Sequence, residues 1–180
     1  MAPEPGTTTS PRDGARVAPQ KISPCLWFNN QAEEAANFYV SVFENSRITS
    51  ISRYTGPGAE VSGQPEGSVM TVAFEIAGQP FTALNGGPEF QFTHAISFMV
   101  NCDTQEEVDR LWDALTAGGQ PEPCGWLKDR FGVSWQIIPS ALGELMSDPD
   151  REKAERVMKA LLQMQKIDIG ALQAAHRGDV

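Results

Sequence analysis

The stretch ISPCLWFNNQAEEAANFYVSVF at residues 22–43 decides the fold, because it joins a short apolar β run to an amphipathic helix. Residues 22–28 are the predicted strand. Asn30 is predicted to cap the helix that follows, with Glu33 three residues later. The helix places its apolar side chains on one face, at Ala32, Ala35, Ala36, Tyr39, Val42 and Phe43.

Three further β runs complete this first unit. Residues 47–54 form a predicted strand, residues 56–67 a Gly- and Pro-rich loop, and residues 69–76 and 79–85 two strands around a tight turn at Ala77 and Gly78. The unit therefore has the order β-α-β-β-β.

The same order then recurs. Residues 95–102 alternate as a half-buried strand, and Thr104 with Glu107 forms a capping box for a second helix. Short β runs at 125–128 and 134–139 follow, joined by a turn at 129–132. Two copies of one element order predict an α+β fold made of two βαβββ modules.

These patterns divide the chain into three parts. Residues 1–20 are a predicted flexible tail, and residues 21–140 hold the modules, at about 21–90 and 94–140. Residues 141–180 are a helical extension that we expect to pack on the domain. Its first helix is predicted to begin with Pro149 after Asp148, and a short helix is predicted at 169–175.

The composition excludes several classes of protein. With 41% hydrophobic and 21% charged residues, the 180-residue chain lies in the range of ordinary globular domains. No apolar run reaches the roughly 18 residues of a membrane span, and the start lacks the apolar segment of a secretory signal. We therefore expect a cytoplasmic protein that does not bind membranes.

The net charge of −9 bears on the partners of the chain. An acidic field repels a phosphate backbone, so nucleic-acid binding is not expected. A cationic small molecule would be attracted. Solubility alone also explains the acidity and is the favoured explanation.

The three cysteines, Cys25, Cys102 and Cys124, lack the spacing of a zinc site. A nucleophilic cysteine needs a base close by, and the chain has only His94 and His176. Reduced structural thiols are therefore favoured over a catalytic cysteine.

Three motifs carry a resemblance to a known family: NFYVSVF at 37–43, NGGP at 85–88 and CGWLKDRFGVSWQ at 124–136. Together they resemble the PhnB-like branch of the vicinal oxygen chelate superfamily, which includes glyoxalases and bleomycin-resistance proteins. Members are often labelled as a predicted 3-demethylubiquinone-9 3-methyltransferase. The chain has no Gly-rich strand-to-helix turn that would support that label. The resemblance implies that the two modules form a cup-shaped mixed sheet around a ligand cavity.

The resemblance also implies where a metal would bind. Metal-using members place ligands on the first strand of each module and on the last strand of the second. Those positions fall on Pro24, Ala95 and Gln136. Proline and alanine have no side-chain donor, and one amide is too few for a divalent cation. No cofactor is predicted, and a divalent metal is the weaker alternative.

For two titratable residues near these positions, a structural role is favoured over a functional one. His94 is one residue from the second ligand position, and such a shift turns a side chain to the other face of a strand, so a histidine without a metal role is favoured. Asp129 could act as a general base. More often an Asp at the start of a turn bonds its own backbone, and that interpretation is favoured.

Strand parity predicts the lining of the cup. Leu26 and Phe28 share the face of Pro24, whereas Cys25 and Trp27 point to the helices. Asn85 and Trp126 are also predicted pocket residues, because of their positions in the motifs. For the aromatic residues, ordinary core packing is the favoured alternative. The full set of pocket candidates is Leu26, Phe28, Asn85, Ser97, Met99, Trp126, Ser134 and Gln136.

The predicted lining is consistent with two functions. The leading hypothesis is a protein that binds a small organic molecule, one that could be cationic, without turnover. The alternative is a glyoxalase-type lyase or isomerase that uses a non-standard site around Gln136, with His94 or Asn85. A third class, a structural partner protein, would dock through the C-terminal helix.

A homodimer is predicted from the same helix. Its apolar residues cover more than the one stripe that a helix on a monomer needs: Val157, Met158, Leu161, Leu162 and Met164. The alternative is that the short helix at 169–175 folds back and covers the second stripe.

Overall fold

The structure is a computed structural model that describes residues 20–179. The predicted tail at residues 1–20 lies outside the described residues except for Gln20. The first module consists of β1 (Cys25–Phe28), α1 (Ala32–Val42), β2 (Arg47–Arg53), α2 (Gly56–Ser62), β3 (Val69–Ile76) and β4 (Gln79–Asn85).

The second module repeats the first. It consists of β5 (Phe98–Cys102), α3 (Gln105–Thr116), β6 (Gln120–Pro121), β7 (Trp126–Lys128) and β8 (Ser134–Pro139), with a 3-10 turn at Pro123–Gly125. The sheet orders are β1-β4-β3-β2 and β5-β8-β7-β6, and in each sheet the first pair is parallel and the others antiparallel. The predicted α+β class with two βαβββ modules is confirmed, and the two open sheets are arranged as a cup.

Helices α1 and α3 bury their apolar faces in one core that both sheets share. The predicted apolar faces of both helices are buried, including Tyr39 of α1 and Leu111 of α3. The Phe43 ring stacks on the Trp135 ring, with centroids 5.4 Å apart, and so joins the two modules. Arg110 of α3 donates to the carbonyl oxygen of Val42, 2.8 Å away, at the end of α1.

The two predicted helix caps have different outcomes. Thr104 accepts a hydrogen bond from the backbone N–H of Glu107 at 3.2 Å, so the capping box of α3 is confirmed. The predicted Asn30 cap of α1 is wrong: the cap residue is Gln31, which makes no side-chain bond there. A residue distant in sequence, Asn85, satisfies the start of α1 instead.

Several predicted boundaries also need correction. Part of the predicted loop is helix α2, which Pro57 in the first turn favours because its φ is already helical. The strand predicted from residue 95 begins at Phe98, because residues 94–96 form a turn and bend. Pro149 lies before the first helical residue, and Asp150 is the cap of the helix that follows.

The C-terminal extension is a set of three helices, α4 (Ser140–Met146), α5 (Arg151–Leu161) and α6 (Ile169–Arg177). Helix α6 packs against α5 and covers Val157 and Leu161. Gln105 of α3 bonds the backbone of Ile167 and Ile169 and fixes the extension to the second module. Of the apolar side chains used to predict a dimer, Val157 and Leu161 are covered within the chain, whereas Met158 and Leu162 remain exposed.

No helix between residues 20 and 179 combines the length and the apolar character needed to cross a membrane.

Candidate functional site

A buried carboxylate, Asp129, joins the motif at 124–136 to the motif at 37–43. Asp129 is 3% exposed, and its Oδ2 accepts hydrogen bonds from the Tyr39 hydroxyl at 2.8 Å and the Trp135 Nε1 at 2.9 Å. Its Oδ1 accepts from the backbone N–H groups of Phe131 and Val133 at 2.9 and 3.0 Å. We call this group the Asp129 bridge. It connects the two motifs within the fold.

The Asp129 bridge has a structural role. Burial raises the pKa of the Asp129 carboxyl, and the four hydrogen bonds act against that rise. Both oxygens are committed to donors in the core, so the favoured interpretation, an Asp that bonds its own turn, is confirmed. The neighbouring Arg130 lies over the Phe38 ring, 4.0 Å from its centroid.

The NGGP motif at 85–88 also has a structural explanation. The Asn85 side chain accepts from the Ala32 N–H at 2.8 Å, at the first residue of α1, and donates to the Val69 carbonyl at 3.1 Å. The Trp27 ring packs over Gly86, where a Cβ would lie 2.2 Å from the ring. Trp27 Nε1 donates to the carbonyl oxygen of Gly87. Only a glycine fits beneath this indole ring.

A cleft of about 470 Å³ lies between β1 and the segment that leads into β5, with the start of β8 on a third side. Its volume is within the usual range for small-molecule sites. Both modules contribute side chains, and most of them are apolar. The lining residues are Pro24, Cys25, Leu26, Trp27, Gln91, Phe92, Thr93, Ala95, Ile96, Phe98, Val133 and Ser134.

One polar group in this cleft is unusual. Ser134 is 1% exposed, and its Oγ is buried without a hydrogen-bond partner among residues 20–179. Most buried hydroxyls in folded proteins have a partner, because desolvation without one costs free energy. Ser134 lines the cleft, and no hydrogen bond within residues 20–179 uses its hydroxyl.

Of the eight predicted pocket residues, the structure places Leu26 and Ser134 in the cleft. Phe28 belongs to the core and lines a smaller hollow of about 250 Å³ with Phe92 and Phe131. Asn85 does not line the cleft, because its side chain caps α1.

The other four candidates lie elsewhere. Gln136 Nε2 donates to the Ser97 hydroxyl at 2.8 Å. Ser97 and Met99 line a separate hollow of about 430 Å³ next to β4. Trp126 is half-buried opposite Gln136 in the sheet.

The predicted parity of β1 is wrong in one respect. Cys25 and Trp27, expected to point to the helices, line the cleft together with Leu26, whereas Phe28 is buried in the core. Strand β1 is at the edge of its sheet, so its residues can reach both the core and the cleft. Of the lining residues in segment 91–96, the resemblance indicated only Ala95, and the others were not predicted. Their sequence signal is a run with Phe92 and Ile96 outside any predicted helix.

The positions that resemblance assigns to a metal do not form a ligand cluster. Pro24 and Ala95 line the cleft, and Gln136 is bonded to Ser97. His94 Nε2 lies 2.7 Å from a Glu122 carboxylate oxygen in an exposed pair. Among residues 20–179, no three His, Cys, Asp or Glu side chains are close enough to hold a metal ion.

The three cysteines are free thiols in different surroundings. Cys102 is buried, and burial raises its pKa to about 12. Cys25 is exposed, although partial desolvation of its thiol raises the pKa of that group as well. Cys124 is half-buried, and its Sγ lies 3.6 Å from the Leu161 carbonyl. The shifts at Cys25 and Cys102 keep those thiols protonated at neutral pH.

Comparison with known proteins shows the family of this domain. The family described as 3-demethylubiquinone-9 3-methyltransferase matches residues 20–138. The comparison with curated proteins returned no match.

Solved structures are also similar to this chain. The PhnB protein of Bacillus cereus is 39% identical, with 67% of this chain and 100% of that chain covered and a TM-score of 0.58. Protein PA1353 of Pseudomonas aeruginosa is 22% identical, with 66% and 96% covered and a TM-score of 0.53, and shares the fold. The fosfomycin resistance protein FosX of Listeria monocytogenes is 16% identical, with 68% and 94% covered and a TM-score of 0.46. This chain belongs to the PhnB-like family described as 3-demethylubiquinone-9 3-methyltransferase.

Proposed function

We propose that this protein binds a small organic molecule in the cleft between its two modules, without the metal site of its metal-using relatives. The observation that carries this proposal is the lining of the cleft. It is apolar on most sides, and the two family ligand positions that lie in it are Pro24 and Ala95. A concave, mainly apolar cavity with few polar groups suits an organic ligand.

A binding experiment tests this proposal. Prodan, a neutral naphthalene dye with a carbonyl group, is expected to bind with one-to-one stoichiometry and blue-shifted emission. Ala95→Trp narrows the cleft and is expected to abolish this binding. Ala117→Trp, at the exposed end of α3, is the matched control and is expected to leave it unchanged. Dye binding that Ala95→Trp does not change would contradict the proposal.

Metal analysis separates binding from the alternative of a glyoxalase-type lyase or isomerase. The chain is purified without a histidine tag and assayed for zinc, nickel, manganese and iron. We expect substoichiometric metal. A stoichiometric metal that is lost in Gln136→Ala would favour the enzyme with a non-standard site around Gln136.

We also propose that the protein is a cytoplasmic homodimer. Its described cysteines are free thiols, which suits a reducing compartment. Large exposed apolar side chains occur near the cleft, with Ile96 76% exposed, and Leu162 of the extension is 59% exposed. Light scattering is expected to give twice the chain mass of 19.6 kDa. Ile96→Glu and Leu162→Glu show which surface holds the pair together, and a monomer in the wild type would contradict the proposal.

A further inference from the structure

The cleft has no charged lining residue, although the chain as a whole carries a net charge of −9. None of the described residues that line it is Asp, Glu, Lys, Arg or His. The Cys25 thiol is neutral at pH 7, because desolvation raises its pKa. A charged ligand would lose its hydration in this cleft without meeting a counter-charge, and such a loss is strongly unfavourable.

The polar side chains of the cleft are few. Cys25, Gln91 and Thr93 are exposed to solvent, so Ser134 is the one that is both buried and without a hydrogen-bond partner among residues 20–179. Trp27 Nε1 donates to the Gly87 carbonyl, and Thr93 Oγ1 accepts from the Ala95 N–H. The Ser134 hydroxyl has no such partner within the described part of the chain. A hydroxyl can donate one hydrogen bond and accept others, so it suits a carbonyl or hydroxyl group of a ligand.

We propose that the cleft selects an uncharged, largely apolar molecule that carries one hydroxyl or carbonyl group, and that Ser134 bonds this group. The inference rests on the proposed binding function and names the class of ligand. The ligand buries its apolar body against Phe92, Ile96 and Phe98, and its polar group satisfies the buried hydroxyl. The acidity of the chain then serves solubility rather than ligand attraction.

Four naphthalenes that differ only in the substituent at position 2 test the proposal by fluorescence titration at pH 7. They are 2-naphthol, 2-methylnaphthalene, 2-naphthoate and the 2-naphthylmethylammonium cation. The wild type is expected to bind 2-naphthol more tightly than 2-methylnaphthalene, which has the same shape but no hydroxyl. Both charged probes are expected to bind more weakly than 2-naphthol.

The variant Ser134→Ala shows whether this hydroxyl is responsible. The affinity ratio of 2-naphthol to 2-methylnaphthalene is expected to fall about 10-fold, which is the usual effect of one buried hydrogen bond. Affinity for 2-methylnaphthalene is expected to change little, so a general loss of structure would be recognised. If the variant does not fold, the comparison of the two probes in the wild type still tests the proposal, and equal affinities there would overturn it.

The possible failures are distinguishable. If no probe binds, or if binding is insensitive to Ala95→Trp, the proposed binding function itself is wrong. If the probes bind in the cleft but Ser134→Ala leaves the ratio unchanged, the binding function holds and the role of Ser134 is wrong. Tightest binding of the cation would overturn the inference in favour of an acidic attraction.

Discussion

Two buried polar groups on either side of one turn, Asp129 and Ser134, differ in what the fold gives them. Asp129 accepts four hydrogen bonds, from Tyr39, Phe131, Val133 and Trp135. The Ser134 hydroxyl is buried equally well and has no partner among the described residues. The fully bonded group belongs to the architecture, and the unbonded group is the one that we propose meets the ligand.

Several residues of the family motifs have structural roles. Tyr39, Asp129 and Trp135 belong to the motifs that carry the family resemblance, and all three serve to join the modules. Asn85 of the NGGP motif serves the start of α1. These motif residues therefore stabilise the fold, whereas the cleft is lined largely by residues outside the motifs, including segment 91–96.

The largest effect is expected from Asp129→Ala. The change leaves two N–H groups of the turn, the Trp135 indole and the Tyr39 hydroxyl without their acceptor. We expect the free energy of unfolding to fall by about 3–5 kcal/mol, since each buried donor without a partner costs about 1–3 kcal/mol and some donors will find water. Urea unfolding measures this loss.

Asp113→Ala is the matched control for Asp129→Ala. Asp113 is a largely exposed carboxylate on α3, with 73% of its side chain accessible. Its replacement is expected to change the free energy of unfolding by less than about 0.5 kcal/mol. If the two variants lose similar stability, the Asp129 bridge does not hold the modules together.

A smaller loss is expected from Asn85→Ala. The variant removes the acceptor for the Ala32 N–H and the donor to the Val69 carbonyl, and we expect a loss of about 1–3 kcal/mol. Amide hydrogen exchange should show the loss first at the start of α1. Asn101→Ala, at an exposed position of β5, is the control. Equal exchange of α1 in both variants would contradict the capping role.

The element order of the fold could be predicted because it depends on local periodicity. The two helices and the hairpin of β3 and β4 follow from spacing within a few residues. The residue that caps α1 could not be predicted, because Asn85, which accepts the hydrogen bond from the Ala32 N–H, lies 53 residues away in the sequence. Helix α2 was missed because Gly56, Pro57 and Gly58 are typical of loops.

The site was predicted less completely for a similar reason. The alternation of side chains between two faces holds only within a strand. Residues 94–96 form a turn and bend before β5 begins at Phe98. The facing of Ala95 therefore does not follow from the strand. The cleft forms where two edge strands and a loop meet. That meeting depends on how the modules pack, and no local pattern contains it. Ser134 was predicted because it lies on a regular strand.

Because the pKa of Asp129 is shifted, the contribution of this residue to the free energy of unfolding depends on pH. Burial raises it above the ordinary value of 3.8, so the folded chain holds this proton more tightly than the unfolded chain does. The resulting stabilisation is present below about pH 4 and is lost as the pH rises through the folded-state pKa.

Asp129→Asn does not titrate and serves as the reference for this pH dependence. The free energy of unfolding of the wild type, relative to Asp129→Asn, should therefore decline from about pH 4 toward neutral pH. Urea unfolding at several pH values measures the decline. A difference that grows toward neutral pH would mean that the hydrogen bonds to the carboxylate outweigh its burial, so that the folded-state pKa of Asp129 is lowered rather than raised.

The smallest effect on stability is expected from Ser134→Ala, and this variant sharpens the comparison most. Its hydroxyl makes no hydrogen bond to the described residues, so the substitution breaks no such bond and removes a desolvated polar atom. We expect the free energy of unfolding to change by less than about 0.5 kcal/mol, or to rise slightly. Urea unfolding of this variant and of Asp129→Ala gives a direct comparison, since both side chains are buried in the same hairpin.

A loss above about 1 kcal/mol in Ser134→Ala would mean that an ordered water bonds this hydroxyl in the free protein. Ser134 would then belong with Asp129 among the architectural groups. Unchanged stability together with weaker binding of 2-naphthol would instead show that the fold leaves this hydroxyl for the ligand.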